Sequence, residues 1–169
     1  MNRRHPPLST EKICERLSVD INAGKAYWVD ATKYHNRLNG SEAGCPRKSG
    51  AGKFYWHIKI NGIAYRRSAI VFAVANGYWP SLTIDHINGN SLDDRESNLR
   101  EATITQNAWN HKGRAKSSGL PMGIRKLGEK YQARIAVNKK TIYLGMHATA
   151  EGALAVYLKA RLTHFGEFA

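Results

Sequence analysis

Residues 85–107 carry an acidic side chain, an imidazole and two carboxamides at intervals that could build a one-metal catalytic site. Asp85 and His86 are adjacent, Asn98 follows twelve residues after His86, and Asn107 follows nine residues after Asn98. In phosphodiester hydrolysis a divalent ion offsets charge on the phosphate, a base takes a proton from water, and a polar group holds the base in line. The four residue types therefore predict a site of this kind.

The four residue types suit a hard metal ion and a general base, but only if the backbone brings them together. Carboxylate and carboxamide oxygens suit a hard cation such as Mg²⁺, and an unperturbed imidazole titrates near neutral pH, where a general base is needed. Neighbouring residues of a regular strand point to opposite faces, so Asp85 and His86 converge only if the strand ends or distorts there. The following Asn88-Gly89 pair favours such an end. Taken alone, His86 would more often be an ordinary core or surface histidine.

The charge of the chain indicates a polyanionic partner. Its 169 residues include 26 Lys and Arg against 13 Asp and Glu, which gives a net charge of +13. Nucleic acid is the usual partner of such a protein, although a basic protein without one and a ribosomal component are alternatives. Residues 112–169 carry 11 basic and 3 acidic side chains, a net of +8, against +5 for residues 1–111. The C-terminal part is therefore expected to supply the main phosphate-facing surface.

Other features of the composition narrow the class of protein. Cys14 and Cys45 have neither the spacing of a zinc site nor that of a disulfide framework, which fits a reducing compartment. The N-terminus lacks the apolar core of a signal peptide, and no apolar run approaches membrane-spanning length. We expect a soluble, intracellular protein, with no membrane association and no protein partner indicated.

Turn and cap residues predict the elements that position the site. Two β-rich runs, 54–60 and 63–67, flank Asn61-Gly62, which is a strong hairpin signal. Ser68 is expected to cap a helix over 69–76 that Gly77 ends, and a strand over 82–84 leads into Asp85. The chain should return and pair around 98–100, and Thr103 or Thr105 should cap a helix that carries Asn107. The result is a β-β-α unit around the candidate residues.

Three other segments have simpler interpretations. The composition of 36–52 predicts a loop. Asp93, Asp94 and Glu96 form an acidic cluster that could add charge around the site, but a solvated loop is the default interpretation. Trp28, Trp56 and Trp79 are most simply packing residues.

The C-terminal part predicts a small separate fold. Residues 112–118 have the composition of a linker. Strands are expected over 122–126, 131–137 and 141–144, followed by a helix that Thr149 caps and that runs to about residue 163, with Gly166 as a stop. Ala153, Tyr157 and Ala160 share one face of this helix and could cover a three-stranded sheet.

Residues 84–111 resemble the HNH motif of phage and intron-encoded homing endonucleases. The resemblance rests on the segments Asp-His-Ile-Asn-Gly-Asn at 85–90, Ser-Asn-Leu-Arg-Glu-Ala-Thr at 97–103 and Gln-Asn at 106–107, and it extends back to residue 53. It implies that Asp85 and Asn107 ligate one divalent ion, Mg²⁺ or Mn²⁺. It also implies that His86 is the general base, and that Asn98 holds the histidine-bearing loop and fixes its imidazole. His111 is a substitute ligand that we rank below Asn107.

Residues 119–169 are similar to the ethylene-response-factor (Apetala-type) DNA-binding domain of plants. The matching stretches are 123–125, 131–135, 143–145 and 149–151. That family lays its three-stranded sheet in the major groove, which implies that Arg125, Arg134 and Tyr143 face DNA, with Lys126 and Lys140 near phosphates. Ala136 and Thr141 stand where the plant family prefers basic side chains, so base-specific contacts are expected to be fewer.

Together these observations predict an α+β protein, in which a ββα-metal HNH nuclease module is followed by a small three-stranded sheet packed on one helix. The predicted division is a nuclease module over 1–111, a linker over 112–118 and a DNA-binding domain over 119–169. The expected activity is metal-dependent hydrolysis of DNA phosphodiesters by a phage-type homing endonuclease, through nicking or double-strand cutting. The alternatives are a non-catalytic, sequence-specific DNA-binding regulator on the same scaffold and a structural nucleoprotein component.

Overall fold

The chain forms two compact units, which span residues 1–104 and 105–169. A computed structural model describes residues 7–30, 38–110 and 119–169. The predicted linker at 112–118 and the substitute ligand His111 lie outside these residues. Within the described residues, no helix is both long and apolar enough to span a membrane. A mixed architecture of helices and strands is confirmed, and the boundary between the units precedes the predicted domain boundary at residue 111.

Among its described residues, the N-terminal unit contains three small antiparallel sheets and a central helix that contacts them. Its elements are α1 (Thr10–Cys14), β1 (Leu17–Asp20), β2 (Lys25–Trp28), β3 (Cys45–Lys48), β4 (Phe54–Ile60), β5 (Ile63–Arg66), α2 (Arg67–Asn76), β6 (Thr83–His86) and β7 (Leu99–Ala102). Strand β1 pairs with β2, β4 lies between β3 and β5, and β6 pairs with β7. A short 3₁₀ turn, Glu96–Asn98, leads into β7.

Helix α2 joins the hairpin sheet to the sheet of the candidate site through two apolar clusters. Ile70 and Ala73 lie in a core with Ile58 on β4. Val71 and Phe72 pack with Ile84 on β6 and with Leu99 on β7. Burying both faces of the helix removes apolar surface from water on each side, which stabilises the position of β6 and β7 in this unit.

The predicted hairpin is confirmed at its turn. Asn61 and Gly62 both have positive φ values, 48° and 82°, as a two-residue turn between twisted strands requires. Gly77 likewise ends α2 with φ of 77°. The predicted cap of α2 is wrong, because the helix begins at Arg67 and Ser68 is buried within its first turn. The side chain of Arg67 is held by two carboxylates, and these long-range contacts fix the helix start.

The loop predicted over 36–52 is wrong in its second half. Cys45–Lys48 is strand β3, which pairs with β4 in the register Cys45↔His57 and Lys48↔Phe54. Trp56 on β4 donates its indole N–H to the carbonyl oxygen of Ala43 at 2.7 Å. The segment is extended because the edge of β4 offers it hydrogen bonds, and a composition rich in glycine does not reveal such a partner.

The C-terminal unit packs a helix on a three-stranded sheet. Helix α3 (Ile104–Trp109) enters it and is followed by β8 (Ile124–Leu127), β9 (Lys130–Val137), β10 (Lys140–His147) and α4 (Ala150–Phe165), with β9 in the centre of the sheet. The Thr149 hydroxyl accepts a hydrogen bond from the Gly152 amide at 3.1 Å, so the predicted cap of α4 is confirmed. Helix α4 contacts all three strands and buries Ala133 and Ile135 of β9.

Candidate functional site

Strands β6 and β7 place Asp85 and His86 at the end of a regular ladder. Asp85 lies opposite Arg100 and His86 lies opposite Leu99. The strand ends at His86, after which the Ile87 amide donates to the Asn98 carbonyl at 2.9 Å. The predicted strand end is therefore present, and the chain turns immediately beyond the histidine.

Asp85 is a buried carboxylate held by its cross-strand neighbour. Its side chain is 4% exposed. Its Oδ2 accepts a hydrogen bond from Nε of Arg100 at 3.0 Å, and a terminal guanidinium nitrogen lies 2.9 Å from the same oxygen as an ion pair. A buried charge needs such a partner, and the pairing fixes the orientation of the carboxylate.

His86 is held by a different carboxylate, Asp94. The two side chains are 7% and 2% exposed, and the Nε2 atom of His86 lies 2.8 Å from Oδ1 of Asp94. Arg67 donates from Nε to the other oxygen of Asp94 at 2.7 Å and from a terminal nitrogen to Glu42 at 2.8 Å. A chain of polar contacts thus runs from the partly exposed Glu42 through the buried Arg67 and Asp94 to the imidazole of His86.

The interpretation of Asp94 as part of a solvated loop is wrong. The residue is buried because the backbone at Asp94 and Arg95 packs directly against Gly24, where an added Cβ would overlap both residues. Gly24 also has φ of 66°, a conformation that glycine adopts without strain. No local pattern reveals this contact, since residues 24 and 94 are far apart in sequence. The available signal in the sequence was the presence of acidic side chains such as Asp94 close to His86 in a chain that is otherwise strongly basic.

Asn98 holds the loop that follows His86. It is 6% exposed, and its Oδ1 accepts from the Asn88 amide at 2.9 Å. Its Nδ2 donates to the Asn88 side chain at 3.1 Å and to the Asp93 carbonyl at 2.7 Å. These contacts join Asn98 to the loop that follows His86, whereas the imidazole, which Asn98 is also predicted to fix, is held by Asp94.

Asp93 strengthens the same loop from outside. Its Oδ2 accepts from the Asn88 side chain at 2.8 Å, and both of its oxygens accept from Arg95. The Arg95 hydrogen bond lowers the pKa of Asp93 to about 2 against the opposing effect of burial, and Asn88 adds to the lowering. Asp93 therefore stays ionised across the neutral range.

The structure does not test the predicted pairing of Asp85 with Asn107. Asn107 lies on α3 in the C-terminal unit, whereas Asp85 belongs to the N-terminal unit. Within the described ranges, no three His, Cys, Asp or Glu side chains group as a metal site. The chemistry of the proposed donors nevertheless fits a hard divalent ion, because a carboxylate and a carboxamide both offer oxygen.

The end of helix α3 is anchored inside the C-terminal unit. The Trp109 ring stacks on Phe165 with centroids 4.8 Å apart and planes 19° apart. Arg161 donates to the Trp109 carbonyl at 2.6 Å, which satisfies a backbone acceptor at the end of the helix. Asn107 therefore belongs to a helix whose end is fixed by α4.

The candidate DNA-contacting residues divide between two faces of the C-terminal sheet. Arg134 and Tyr143 are cross-strand partners. Arg125 pairs with Gln132, two residues along β9 from Arg134. Strand alternation therefore puts all three on the exposed face opposite α4, with Tyr143 59% exposed. Lys126 and Lys140 pair with residues of β9 that point to the other face of the sheet. Both lysines are exposed near strand ends, so their predicted phosphate contacts would lie at the edge of the sheet.

Known proteins are similar to the segment that carries this site. Residues 65–109 match a family model described as HNH endonuclease. An uncharacterized HNH endonuclease of Acanthamoeba polyphaga mimivirus is 32% identical over 144 residues, which cover 84% of this chain and 68% of that protein. Protein 3.8 of Escherichia phage T7 is 46% identical over 59 residues, or 34% of this chain and 49% of the phage protein.

A solved structure is also similar, that of the HNH homing endonuclease I-HmuI, a protein that binds and cleaves DNA. The alignment covers 89% of this chain and 82% of that chain at 17% identity, with a TM-score of 0.42.

Proposed function

This chain belongs to the HNH endonuclease family, and on that premise we propose that it hydrolyses phosphodiester bonds of DNA with a single divalent metal ion. The matched residues 65–109 include Asp85, His86, Asn98 and Asn107. The observation that carries the proposal is the buried pairing of His86 with Asp94. It gives a histidine at the end of a strand one fixed orientation, as a general base requires.

His86 is the proposed general base. Its Nε2 faces a carboxylate, which favours the tautomer with the proton on Nε2 and the lone pair on Nδ1. Nδ1 takes a proton from water as the water oxygen bonds to phosphorus. The bond from phosphorus to one sugar oxygen breaks, and that oxygen leaves with the electron pair. The charge of Asp94 stabilises the imidazolium that forms.

Asp85 and Asn107 are the proposed metal ligands, and Asn98 is the proposed positioning residue of the loop. When bound, Mg²⁺ or Mn²⁺ would offset negative charge on the phosphate. Arg100 holds one oxygen of Asp85 and so limits rotation of the carboxylate. Asn98 ties the turn after His86 to the start of β7, which keeps the histidine at the strand end.

The C-terminal unit is the proposed anchor on duplex DNA. Its exposed sheet face carries Arg125, Arg134 and Tyr143, and residues 112–169 have a net charge of +8. The expected ethylene-response-factor-type domain, together with the HNH motif, leads us to propose a site-preferring homing endonuclease of phage type. The same basic face would serve a non-catalytic DNA-binding regulator, which is the second candidate function.

Cleavage of supercoiled plasmid distinguishes the two candidates. We expect nicked or linear product with Mg²⁺ and none with EDTA. His86→Ala should slow cleavage by ~10²–10⁴-fold while DNA binding is retained, because it removes the base alone. His164→Ala, which alters an exposed histidine on α4, is the matched control and should cleave at the wild-type rate. Cleavage by His86→Ala at the wild-type rate would show that His86 is not the general base. Plasmid that stays intact with the wild type and with both variants would favour the non-catalytic DNA-binding regulator.

A further inference from the structure

The sheet formed by β3, β4 and β5 has one apolar face and one basic face. Ile58, Ile60 and Tyr65 point into the core. The alternate positions therefore point away from it, and Arg47 lies opposite Tyr55 in the strand register. We call the outward side chains of Arg47, Tyr55, Lys59 and Arg66 the basic sheet face. The three cations are exposed, and Tyr55 is half-buried.

The charge of the basic sheet face is not compensated within the described part of the chain. Five other cations of the N-terminal unit pair with carboxylates: Arg16 with Asp30, Lys25 with Glu42, Arg67 with Asp94, Arg95 with Asp93 and Arg100 with Asp85. Among the described residues, no carboxylate forms a salt bridge with Arg47, Lys59 or Arg66. Three like charges on one small sheet repel one another, so an anionic partner would relieve this repulsion.

The basic sheet face adjoins the proposed general base. The rings of Tyr55 and His86 have centroids 6.4 Å apart. The guanidinium carbon of Arg66 lies 4.0 Å from the centre of the Tyr55 ring. Ser91, in the loop after His86, donates to the Phe54 carbonyl at 2.6 Å and ties that loop to β4. A cation is thus stacked on the aromatic ring that borders the catalytic histidine.

We infer that the basic sheet face binds the sugar-phosphate backbone of duplex DNA beside the bond that is cut, an inference that rests on the proposed function. From Tyr55 to Lys59 a strand extends roughly 13 Å. Because phosphates of one strand follow each other every ~3.4 Å along the duplex axis, this length spans about four nucleotides. Guanidinium groups suit phosphate through paired hydrogen bonds. The N-terminal unit therefore contacts DNA independently of the C-terminal sheet.

The two cysteines of the chain allow a direct test of this surface. Both are exposed. Cys45 pairs with His57 in the strand register and lies at the basic sheet face, whereas Cys14 ends helix α1. A short thiol-linked photo-crosslinker on the Cys14→Ser protein should therefore crosslink a random-sequence duplex in EDTA. The same reagent on the Cys45→Ser protein should crosslink it far less, and equal crosslinking from both positions would contradict the inference.

Salt dependence measures the phosphate contacts themselves. Arg47→Gln/Lys59→Gln should lower the slope of log Kd against log salt by roughly 1.8, since each phosphate contact contributes about 0.9. The control Lys12→Gln/Lys159→Gln removes the same charge from exposed helical positions and should change the slope much less. Equal slopes for the two variants would overturn the inference. Because binding is measured in EDTA, the result is independent of whether the protein cuts DNA, which the plasmid assay decides.

Discussion

Asp94→Asn is the change that best tests the proposed base, because it removes one charge and almost no volume. Asp94 accepts from Arg67 at 2.7 Å and lies 2.8 Å from Nε2 of His86. An asparagine has a single acceptor oxygen, and Arg67 can only donate, so the amide oxygen must face Arg67. The amide N–H groups then face His86 and require the lone pair of Nε2.

The expected loss follows from this exchange of tautomer. With the lone pair on Nε2, the proton of His86 occupies Nδ1, the nitrogen that should accept a proton from water. The same error in a Ser-His-Asp triad lowers kcat by about 10⁴. Here we expect a fall of ~10²–10⁴-fold, which corresponds to about 3–5 kcal/mol of activation free energy. The free energy of unfolding should fall by only roughly 1–3 kcal/mol, because Arg67 keeps its second partner Glu42.

Single-turnover cleavage of plasmid measures this loss, with DNA binding in EDTA and thermal unfolding followed in parallel. Asp93→Asn is the matched control, since it alters the neighbouring carboxylate, which contacts Asn88 and Arg95. The control should cleave near the wild-type rate. A folded, DNA-binding Asp94→Asn protein that cleaves as fast as the wild type would refute the assignment of Asp94 as the residue that positions His86.

Three further outcomes are expected. The depressed pKa of Asp93, about 2, contributes stability that is present above its unfolded value near 3.9 and is lost as pH falls towards 2. Asp93→Asn should therefore lower the free energy of unfolding by ~1 kcal/mol at neutral pH after solvent screening, and an undiminished difference at pH 2 in denaturant titrations would contradict this origin. Asn107→Ala should raise the Mg²⁺ concentration for half-maximal cleavage by ~10-fold or more. If Asn107→Ala is fully active and His111→Ala is inactive, His111 is the metal ligand in place of Asn107. A 105–169 fragment should fold and bind duplex DNA with an affinity that falls steeply with salt. Its Tm should be higher than that of a 119–169 fragment, because Trp109 stacks on Phe165. A folded 105–169 fragment that does not bind DNA at low salt would show that this unit is not the DNA anchor.

Features with local physical causes were predictable from the sequence. Asn61-Gly62 specifies a hairpin turn because the two residues accept positive φ more readily than others. Gly77 ends α2 for the same reason, and Thr149 caps α4 through a hydroxyl three residues from its donor. Each of these signals acts over a few residues, so neighbouring sequence contains the information needed.

Features that depend on distant partners were not predictable in this way. Strand β3 was interpreted as a loop because its pairing with β4 is visible only in the folded chain. The sequence predicts a cap at Ser68 and a helix from residue 69, whereas the helix begins at Arg67, whose side chain binds Glu42 and Asp94.

The sequence by itself determined that an acidic residue, a histidine and two asparagines follow one another at the spacing of an HNH motif within a basic chain. Only the tertiary structure decided which carboxylate holds His86, because Asp94 becomes its partner through close packing on Gly24 and through Arg67. It likewise decided that Arg47, Lys59 and Arg66 share one uncompensated face among the described residues. Burial and charge pairing depend on which residues the folded backbone brings together, whereas residue type and spacing are properties of the chain alone.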